Sequence, residues 1–514
     1  MWDSKLRARG RATGLIAATL LAVAVGAQNL STPWSGYGHD AQHTAVSPNK
    51  SQTLQRIRWQ TPVDLAPQYS GTSLLIHYGS PLVSAANTVV LPVKTGATDG
   101  FRVEARRGTD GGLKWQMASD YLLPPHNWIP SCGIALNFRS RVYFPGEGGT
   151  VLWRDSVDSN TGASGRIAFY GNAVYSESPS AFRSSVFINT PITVDRYGNL
   201  FFGFQVTGAN PANLQSGLAR ISSAGVGTFV TATGAAGDAG IKKVAHNCAP
   251  ALSNDHRTLY VAVNTGNGRG FPSGYLLALD STTLATKAKV RLKDWVNPTR
   301  DAIVPEDGTA SPMVGPDGQV YFGVLENPFG SNHARGWLLH FDAGLNAVGM
   351  AGAFGWDTTP SVVPATMVPS YHGASRYLIF TKYNNYAGIG GDGVNKIAVL
   401  DPNEMEIDPV SGECVMKIVL AIAGPTPDAG HVANFPNAVR EWCINTGAVD
   451  PASKSILVNN EDGKIYRWDL TTNTLIQPIV LTAGIGEAYT PTLVGVDGTV
   501  YAINNAILFA VGKN

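Results

Sequence analysis

The chain alternates between short apolar runs and turns that contain glycine, proline or aspartate over most of its length. The segment 489–514, YTPTLVGVDGTVYAINNAILFAVGKN, shows this pattern in its most compact form. Thr490-Pro491 opens a short apolar strand, and Val496-Asp497-Gly498 forms a turn. The runs that begin at Thr499 and Ala506 follow as second and third strands. Short runs rich in β-branched and aromatic residues between such turns predict β-strands.

The same unit recurs along the chain. Second strands such as NLFFGF from Asn199 and QVYFGV from Gln319 are strongly apolar, and a third and a fourth strand follow. Four strands per unit, repeated around an axis, predict an all-β fold: an eight-bladed β-propeller of four-stranded antiparallel blades. Separate β-sandwich domains are the alternative. The eight units begin at Ser80-Pro81, Cys132-Gly133, Thr190-Pro191, Ala249-Pro250, Ser311-Pro312, Thr359-Pro360, Thr446-Gly447 and Thr490-Pro491.

The last unit ends after its third strand, so its outer strand must come from elsewhere. The segment 55–63, QRIRWQTPV, has the composition of a strand. Pairing it with the last unit closes the ring and removes an open sheet edge. We therefore expect residues 28–514 to form a single propeller domain, with a lead-in segment at 28–54 and a closing strand at 55–63.

The N-terminus predicts export. Basic residues lie at positions 5–11, an apolar run too short to span a bilayer comfortably covers 15–25, and Val25-Gly26-Ala27 offers small residues for cleavage after Ala27. The alternative is a retained membrane anchor. With residues 1–27 as a signal peptide and no lipidation Cys at the cut, the protein should be periplasmic or extracellular, with no membrane span after cleavage.

The composition of the chain limits the kinds of molecule that we expect it to bind. The formal net charge is +1 and 15% of residues are charged, which argues against a nucleic acid held by a global field. We expect a monomer. Export would permit disulfides, but the sequence does not choose among the pairings of Cys132, Cys248, Cys414 and Cys443.

Loop lengths indicate which face of the propeller carries function. Loops before each first strand and after each second strand share one face, and these are long, as at 264–274 and 326–336. The loops of the opposite face are mostly short, such as Gly315-Pro-Asp-Gly318. Long loops on one rim of a rigid scaffold usually carry binding or catalysis. Sequence drift in tolerant loops is the alternative explanation.

The repeat resembles that of the quinoprotein-like propellers, the pyrroloquinoline-quinone-repeat family. The closest matches begin at Asp462-Gly463 and at Gly274-Tyr275, and the segment 34–44, WSGYGHDAQHT, looks like the stretch that precedes such propellers. The resemblance covers residues 34–514 and implies the fold. It leaves activity open, because the repeat serves both dehydrogenases and non-catalytic scaffolds.

Family features of the quinone-dependent alcohol dehydrogenases are absent from the sequence. It has no adjacent Cys-Cys pair, no convincing acidic-Asn-Asp set for calcium and no Cys-x-x-Cys-His haem motif. These absences favour a protein without a cofactor or a metal. Pyrroloquinoline quinone with Ca²⁺ is kept as the alternative.

Counting back four residues from each unit start predicts a ring of side chains around the mouth of the axial channel. Imidazole, carboxylate and indole groups there suit ligand binding, metal ligation or acid–base chemistry. Solvated rim residues and blade packing are the alternatives. Beside this ring lie Glu306, Asp357 and Glu441. The predicted ligand-binding residues are His77, Trp128, His246, Trp356, Trp442 and Glu487, with His77 and Glu487 as candidate catalytic residues.

These observations lead to one functional expectation and two alternatives. We expect an exported propeller that binds a protein or carbohydrate ligand through its long-loop face without catalysis. The first alternative is a periplasmic oxidoreductase that depends on a quinone or a metal. The second is a polysaccharide lyase or hydrolase. Acidic, basic and cationic groups converging within a few ångströms in the funnel would favour an enzyme.

Overall fold

A computed structural model describes residues 33–71, 73–126, 128–266, 271–306, 308–443, 446–484 and 491–513. The predicted signal peptide at 1–27 lies outside the described residues, and so does Glu487. Within the described part, no helix has the length and apolar character needed to cross a membrane.

The described residues form eight antiparallel sheets in a propeller ring, which confirms the predicted fold class. Each sheet is a blade whose strands run in order from the axis outward. Blade one consists of Leu82–Val83, Thr88–Lys94, Phe101–Arg107 and Leu113–Ser119. Blade two consists of Ala135–Leu136, Val142–Pro145, Thr150–Arg154 and Ser164–Ala168. Blade three consists of Thr193–Val194, Leu200–Val206, Gly217–Ile221 and Gly227–Thr231. Blade four consists of Ala251–Leu252, Thr258–Asn264, Gly274–Asp280 and Thr286–Arg291.

The second half of the ring follows the same plan. Blade five has three named strands, and bridges from Leu338 to Gly352 and from Phe341 to Ala347 take the place of its outer strand. The strands of blade five are Met313–Val314, Val320–Val324 and Trp337–Phe341. Blade six consists of Ser361–Pro364, Tyr377–Tyr383, Lys396–Ile407 and Cys414–Ala423. Blade seven consists of Ala448–Asp450, Ser455–Asn459, Lys464–Asp469 and Thr474–Val480. Blade eight consists of Leu493–Val494, Val500–Asn504 and Ile507–Gly512, with the N-terminal strand Arg56–Pro62 as its outer strand.

A few short elements lie outside this plan. Val186–Ile188 and Lys243–Val244 extend the inner edges of blades three and four, and Tyr69–Ser70 pairs with Ser73–Leu74. The described α-helices are Asn172–Glu177, Pro179–Arg183 and Ala232–Ala236, and the 3₁₀ turns are Glu147–Gly149, Ala365–Met367, Ala387–Ile389 and Pro451–Ser453.

The second strand of each blade is buried on both faces, which explains its continuous apolar sequence. In blade six every residue of Tyr377–Tyr383 is buried, although this strand includes Thr381 and Lys382. Outer strands contact solvent on one face, so more and less buried residues alternate along them, as in Thr474–Val480. Tight turns between the first and second strands use glycine in the left-handed region, as at Gly318 with φ 86°.

The N-terminal strand closes the ring as predicted. Arg56–Pro62 pairs antiparallel with Ile507–Gly512, the third strand of blade eight. Trp59 anchors this strand, because its Nε1 donates to the carbonyl of Gly108 at 2.9 Å and its ring lies 5.7 Å from that of Tyr501. A strand from one end of the chain thereby completes the sheet at the other end.

The lead-in segment covers the end of the axial channel on the short-loop face. Its backbone exchanges hydrogen bonds with the inner strands or adjoining turns of seven blades in turn, through Val83, Leu136, Leu252, Val314, Val362, Val449 and Gly498. Tyr37 lies inside this path, and its hydroxyl contacts the carbonyl of Thr309 and Oγ1 of Thr359. The opposite, long-loop face is therefore the face from which a ligand reaches the channel.

Candidate functional site

The long-loop ends of blades four to seven bring charged side chains together at the open mouth of the channel, which we call the funnel. They come from segments before first strands, such as Asp357, from the ends of second strands, such as Lys382, and from the turns that follow them, such as Glu461. Both kinds of segment lie on the face that the loop lengths indicated. The site is thus built on strand ends that the blade cores hold in place.

Asp357 is the most constrained carboxylate of the funnel. Its Oδ1 accepts hydrogen bonds from the backbone N–H of Thr309 at 2.6 Å and from Oγ1 of Thr309 at 2.5 Å. Its Oδ2 lies 3.7 Å from Nζ of Lys382. Asp357 also has φ 48°, a left-handed conformation that non-glycine residues adopt at a cost and that clusters at functional sites.

His77 precedes the first strand of blade one and interacts electrostatically with this ion pair. Its imidazole feels the charges of both Asp357 and Lys382, and its ring lies 5.8 Å from that of Trp128. Burial lowers the pKa of His77 from 6.5 to about 4, so the ring is neutral at pH 7. A neutral imidazole therefore lies within the electrostatic influence of the Asp357–Lys382 ion pair.

A second charged group lies between blades four and five. Lys243 forms an ion pair with Glu306, and the same carboxylate accepts a hydrogen bond from the side-chain amide of Asn264. Nε2 of His246 lies 3.5 Å from Oε2 of Glu306 and 3.2 Å from the carbonyl of Pro125. Burial, followed by the charge of Lys243, lowers the pKa of His246 to about 4.

A third group lies at blade seven. Oxygens of Glu441 and Glu461 and Sγ of Cys443 all lie within 4.8 Å of one another, a spacing that could hold a cation. The backbone N–H of Glu441 donates to Oε1 of Glu461 at 2.9 Å. Burial, and then the negative charge of Glu461, raise the pKa of Glu441 from 4.5 to about 8. Without a cation, Glu441 therefore keeps its proton at neutral pH.

Two cavities lie beside these groups and share His246 as a lining residue. A cleft of about 300 Å³ is lined by Pro125, His126, Gln205, Lys243, His246, Gly266 and Glu306. His246 also lines a narrower cavity that continues to Gly308, Trp356 and Asp357. A Cβ on Gly308 would lie 3.2 Å from the indole of Trp356, so glycine allows this close approach. His246 thus forms part of the wall of both cavities.

The predicted site residues fall into different environments. His77, Trp128, His246 and Trp356 lie at or beside the funnel. Trp442 is 0% exposed and packs against Tyr466, so it belongs to the core of blade seven. Glu487 lies outside the described residues. Ligand binding by any of them stays a prediction.

Sequence reasoning missed Lys243, Lys382 and Glu461. Lys382 sits in the apolar run YLIFTK, where a lysine reads as the solvated end of a strand. The only signal was its position, since it ends a second strand on the long-loop face. The four cysteines, all within the described part of the chain, form no disulfide.

Comparison with known proteins supports the fold and bears on function. No protein-family model and no curated protein matches the sequence. Among solved structures, the chain is similar to a europium-containing methanol dehydrogenase, with 11% identity, a TM-score of 0.54, and coverage of 92% of this chain and 89% of that one. A quinohemoprotein alcohol dehydrogenase from Comamonas testosteroni has 11% identity and a TM-score of 0.54 over 94% and 81% of the chains.

A third similar structure is the quinohemoprotein alcohol dehydrogenase ADHIIG from Pseudomonas putida HK5. Its identity is 12% and its TM-score 0.51, over 94% of this chain and 76% of that one. At identities this low the likeness establishes the fold, and activity is argued from the site.

The expectation of a binding protein without catalysis and without a cofactor is corrected by these findings. Two of the similar structures are quinohemoprotein alcohol dehydrogenases and the third is a methanol dehydrogenase, and Asp357 and Lys382 place an acid and a cation 3.7 Å apart at the funnel. The first alternative, a quinone-dependent oxidoreductase, is better supported. The resemblance that the repeats indicated is confirmed at the level of fold: the chain is an eight-bladed propeller of the quinoprotein-like type.

Proposed function

We propose that the protein is an oxidoreductase that oxidises an alcohol in the funnel with pyrroloquinoline quinone and a bound cation. One observation carries this proposal: Asp357 is buried, fixed by two hydrogen bonds from Thr309, and paired with Lys382 at the channel mouth. Buried ionisable groups with a specific partner in a cleft are typical of functional sites. The similarity to quinone alcohol dehydrogenases supports the choice of reaction.

The residues present fit such a cofactor in chemical kind. A planar quinone that carries carboxylates needs an aromatic face, positive charge and hydrogen-bond donors. Trp356 offers an indole face on the narrower cavity, and Lys382 offers an ammonium group in the ion pair with Asp357 beside it. Glu441 and Glu461 offer carboxylate oxygens that could hold the cation. No adjacent-cysteine ring contributes here, because none of the cysteines is adjacent to another.

The chain's own residues account for the proton. The alcohol loses a proton from its oxygen and a hydride from its carbon, which leaves a carbonyl product. Asp357 accepts the proton, Thr309 fixes the orientation of its carboxylate, and the ammonium group of Lys382 lies 3.7 Å from that carboxylate. His77, neutral at pH 7, accepts or donates a hydrogen bond without adding charge. When bound, the quinone supplies the acceptor for the electron pair and hydrogen of the carbon.

The test separates binding from turnover. The protein is mixed with pyrroloquinoline quinone and Ca²⁺, and in parallel with a lanthanide ion, and alcohol-dependent reduction of a redox dye is measured. Asp357→Asn keeps the side-chain shape and tolerates the left-handed backbone. We expect this variant to bind the quinone but to lose at least a hundredfold in kcat. Unchanged kcat in the variant would exclude Asp357 as the base.

Export belongs to the same proposal. The basic and apolar N-terminal segment supports secretion with cleavage after Ala27, and a monomer remains our expectation for the oligomeric state. N-terminal sequencing of the protein recovered from the cell envelope or medium tests the cleavage site. A mature N-terminus at Gln28 supports it, and a chain that keeps residues 1–27 contradicts it.

A further inference from the structure

We infer that the cleft beside His246 binds a neutral polyhydroxylated compound, a sugar alcohol or an aldose, as the substrate of this enzyme. The inference rests on the proposed function for the reaction and on the cleft alone for the ligand. The cleft measures about 300 Å³, which places it in the size range of small-molecule sites. A one- or two-carbon alcohol would fill only a small part of it.

The lining of the cleft selects against apolar alcohols. Gln205, Lys243, His246, Glu306 and His126 place polar groups along it, and Pro125 is the one residue with an apolar side chain among the described lining residues. An alkyl chain would gain little from such walls and would strip water from several polar groups without replacing their hydrogen bonds. A ligand with a hydroxyl on each carbon can replace them.

The charges of the cleft also select against anions. Lys243, the ammonium group of the lining, already forms an ion pair with Glu306. The imidazole of His246 is held neutral at pH 7 by burial and by that lysine. A carboxylate or phosphate would therefore meet a lining with no net positive charge among the described residues, whereas a neutral hydroxyl can donate to Glu306 and accept from Lys243.

Gln205 adds an amide to this lining. It lies near the rim end of the second strand of blade three, and its buried Oε1 has no hydrogen-bond partner in the described part of the chain. Buried polar atoms are normally paired, and one left unpaired beside a cavity calls for a donor from a ligand or from water. A ligand hydroxyl would supply that donor.

The position of the cleft relative to Asp357 connects binding with chemistry. His246 lines both the cleft and the narrower cavity that leads to Trp356 and Asp357. A polyhydroxylated ligand seated in the cleft lies against His246, and its terminal hydroxyl is the group that the proposed reaction would oxidise. Oxidation removes the proton of this hydroxyl and the hydride of its carbon; the bound quinone is the oxidant, and an external electron acceptor re-oxidises it.

Binding is measured first, without any cofactor. Sorbitol, glucose, gluconate and 1-hexanol are each titrated against the full chain by calorimetry and by ligand-observed NMR. We expect sorbitol or glucose to bind at least tenfold more tightly than gluconate or hexanol, and the two arms distinguish the sugar alcohol from the aldose. Tighter binding of hexanol or gluconate, or no binding of sorbitol and glucose, would overturn the inference.

A matched pair of variants locates the site. Gln205→Leu should weaken the binding of the preferred sugar compound about tenfold, the ratio that about 1.4 kcal/mol corresponds to. Gln60→Leu changes an exposed glutamine on the closing strand of blade eight and should leave this affinity unchanged. Equal affinities in both variants would place the binding site elsewhere.

Failure of the inference and failure of the proposed function are distinguishable. If sorbitol or glucose binds but the quinone neither binds nor supports turnover, the proposed oxidoreductase is wrong and the carbohydrate site stands. The opposite result is quinone-dependent turnover of ethanol with a kcat/KM at least tenfold higher than that of both sorbitol and glucose. In that case the proposed oxidoreductase stands and the inference about the substrate is wrong.

Discussion

The carboxylate of Asp357 and the ammonium group of Lys382 lie 3.7 Å apart, and both side chains are almost fully buried, at 3% and 2% exposure. They belong to consecutive parts of blade six, since Asp357 precedes its first strand and Lys382 lies one residue before the end of its second. Burying two charges is costly unless they compensate each other. Because this ion pair lies at the channel mouth rather than in a blade core, we propose a chemical role for it.

Removing the lysine should therefore destabilise the fold. Lys382→Met leaves the carboxylate of Asp357 buried without its cation, and we expect a loss of about 3 kcal/mol in the free energy of unfolding. Denaturant unfolding measures it. The double variant Asp357→Asn/Lys382→Met should recover part of the loss, because no uncompensated charge remains. Lys50→Met, at an exposed lysine, serves as the control; an equal loss there would refute the pairing argument.

Acid should destabilise the protein through its buried histidines. The pKa of His246 falls from 6.5 to about 4 on folding, because burial and Lys243 disfavour its charged form. The unfolded chain then binds the proton first, so the stabilisation is fully present above pH 6.5 and is lost as the pH falls towards 4. The shift corresponds to about 3 kcal/mol at most.

Melting curves between pH 7 and pH 4 should show this loss, and His246→Asn should make the curve shallower. His126→Asn changes an exposed imidazole of the same cleft and should leave the pH dependence as it is in the unmodified protein. If both variants show the slope of the unmodified protein, His246 is not a source of the acid sensitivity.

Glu441 should act in the opposite direction. Its pKa rises from 4.5 to about 8 on folding, chiefly through burial and then through the charge of Glu461. The fold therefore holds a proton that the unfolded chain has released, and this contribution to stability is lost as the pH rises from 4.5 to 8. We expect Glu441→Gln to stabilise the protein above pH 8 by roughly 2 kcal/mol, after allowance for partial solvent access.

Thermal unfolding at pH 5 and pH 9 measures the effect of Glu441→Gln. The exposed Glu177→Gln is the matched control and should change stability equally little at both pH values. A Glu441→Gln variant that is no more stable than the unmodified protein at pH 9 would show that folding does not raise the pKa of Glu441.

Ring closure depends on Trp59. Its indole is buried, donates to the carbonyl of Gly108 and packs against Tyr501, so Trp59→Ala should cost about 3–5 kcal/mol. Gln60→Ala, at the exposed neighbour, should stay within about 0.5 kcal/mol of the unmodified protein. Chemical denaturation compares the two, and a small loss for both would mean that the closing strand contributes little to stability.

Much of the fold could be predicted because it depends on local patterns. The run YLIFTK from Tyr377 predicted a second strand, and the structure has Tyr377–Tyr383 there. The closing strand was predicted at 55–63 and is Arg56–Pro62, since an unpaired sheet edge at the other end requires a partner. Blade five departs from the pattern, because isolated bridges replace its outer strand.

The site was harder to predict because its charges are far apart in sequence. The approach to the first strand of a blade pointed to Asp357 and His246, but nothing in YLIFTK marks Lys382 as a buried partner rather than a solvated strand end. Glu461 is likewise separated from Glu441 by a whole pair of strands. Such pairings follow from the three-dimensional approach of loops, which periodicity does not contain.

The most direct test of the proposed function is a thermal-shift titration with pyrroloquinoline quinone and Ca²⁺ together, against each alone. If the quinone binds the folded funnel, a hundredfold excess over Kd should stabilise the protein by about 2.7 kcal/mol. We predict a rise in Tm with the two together that Lys382→Met/Asp357→Asn reduces. No rise in Tm with the quinone, with Ca²⁺ or a lanthanide ion present, would contradict a quinone-dependent oxidoreductase.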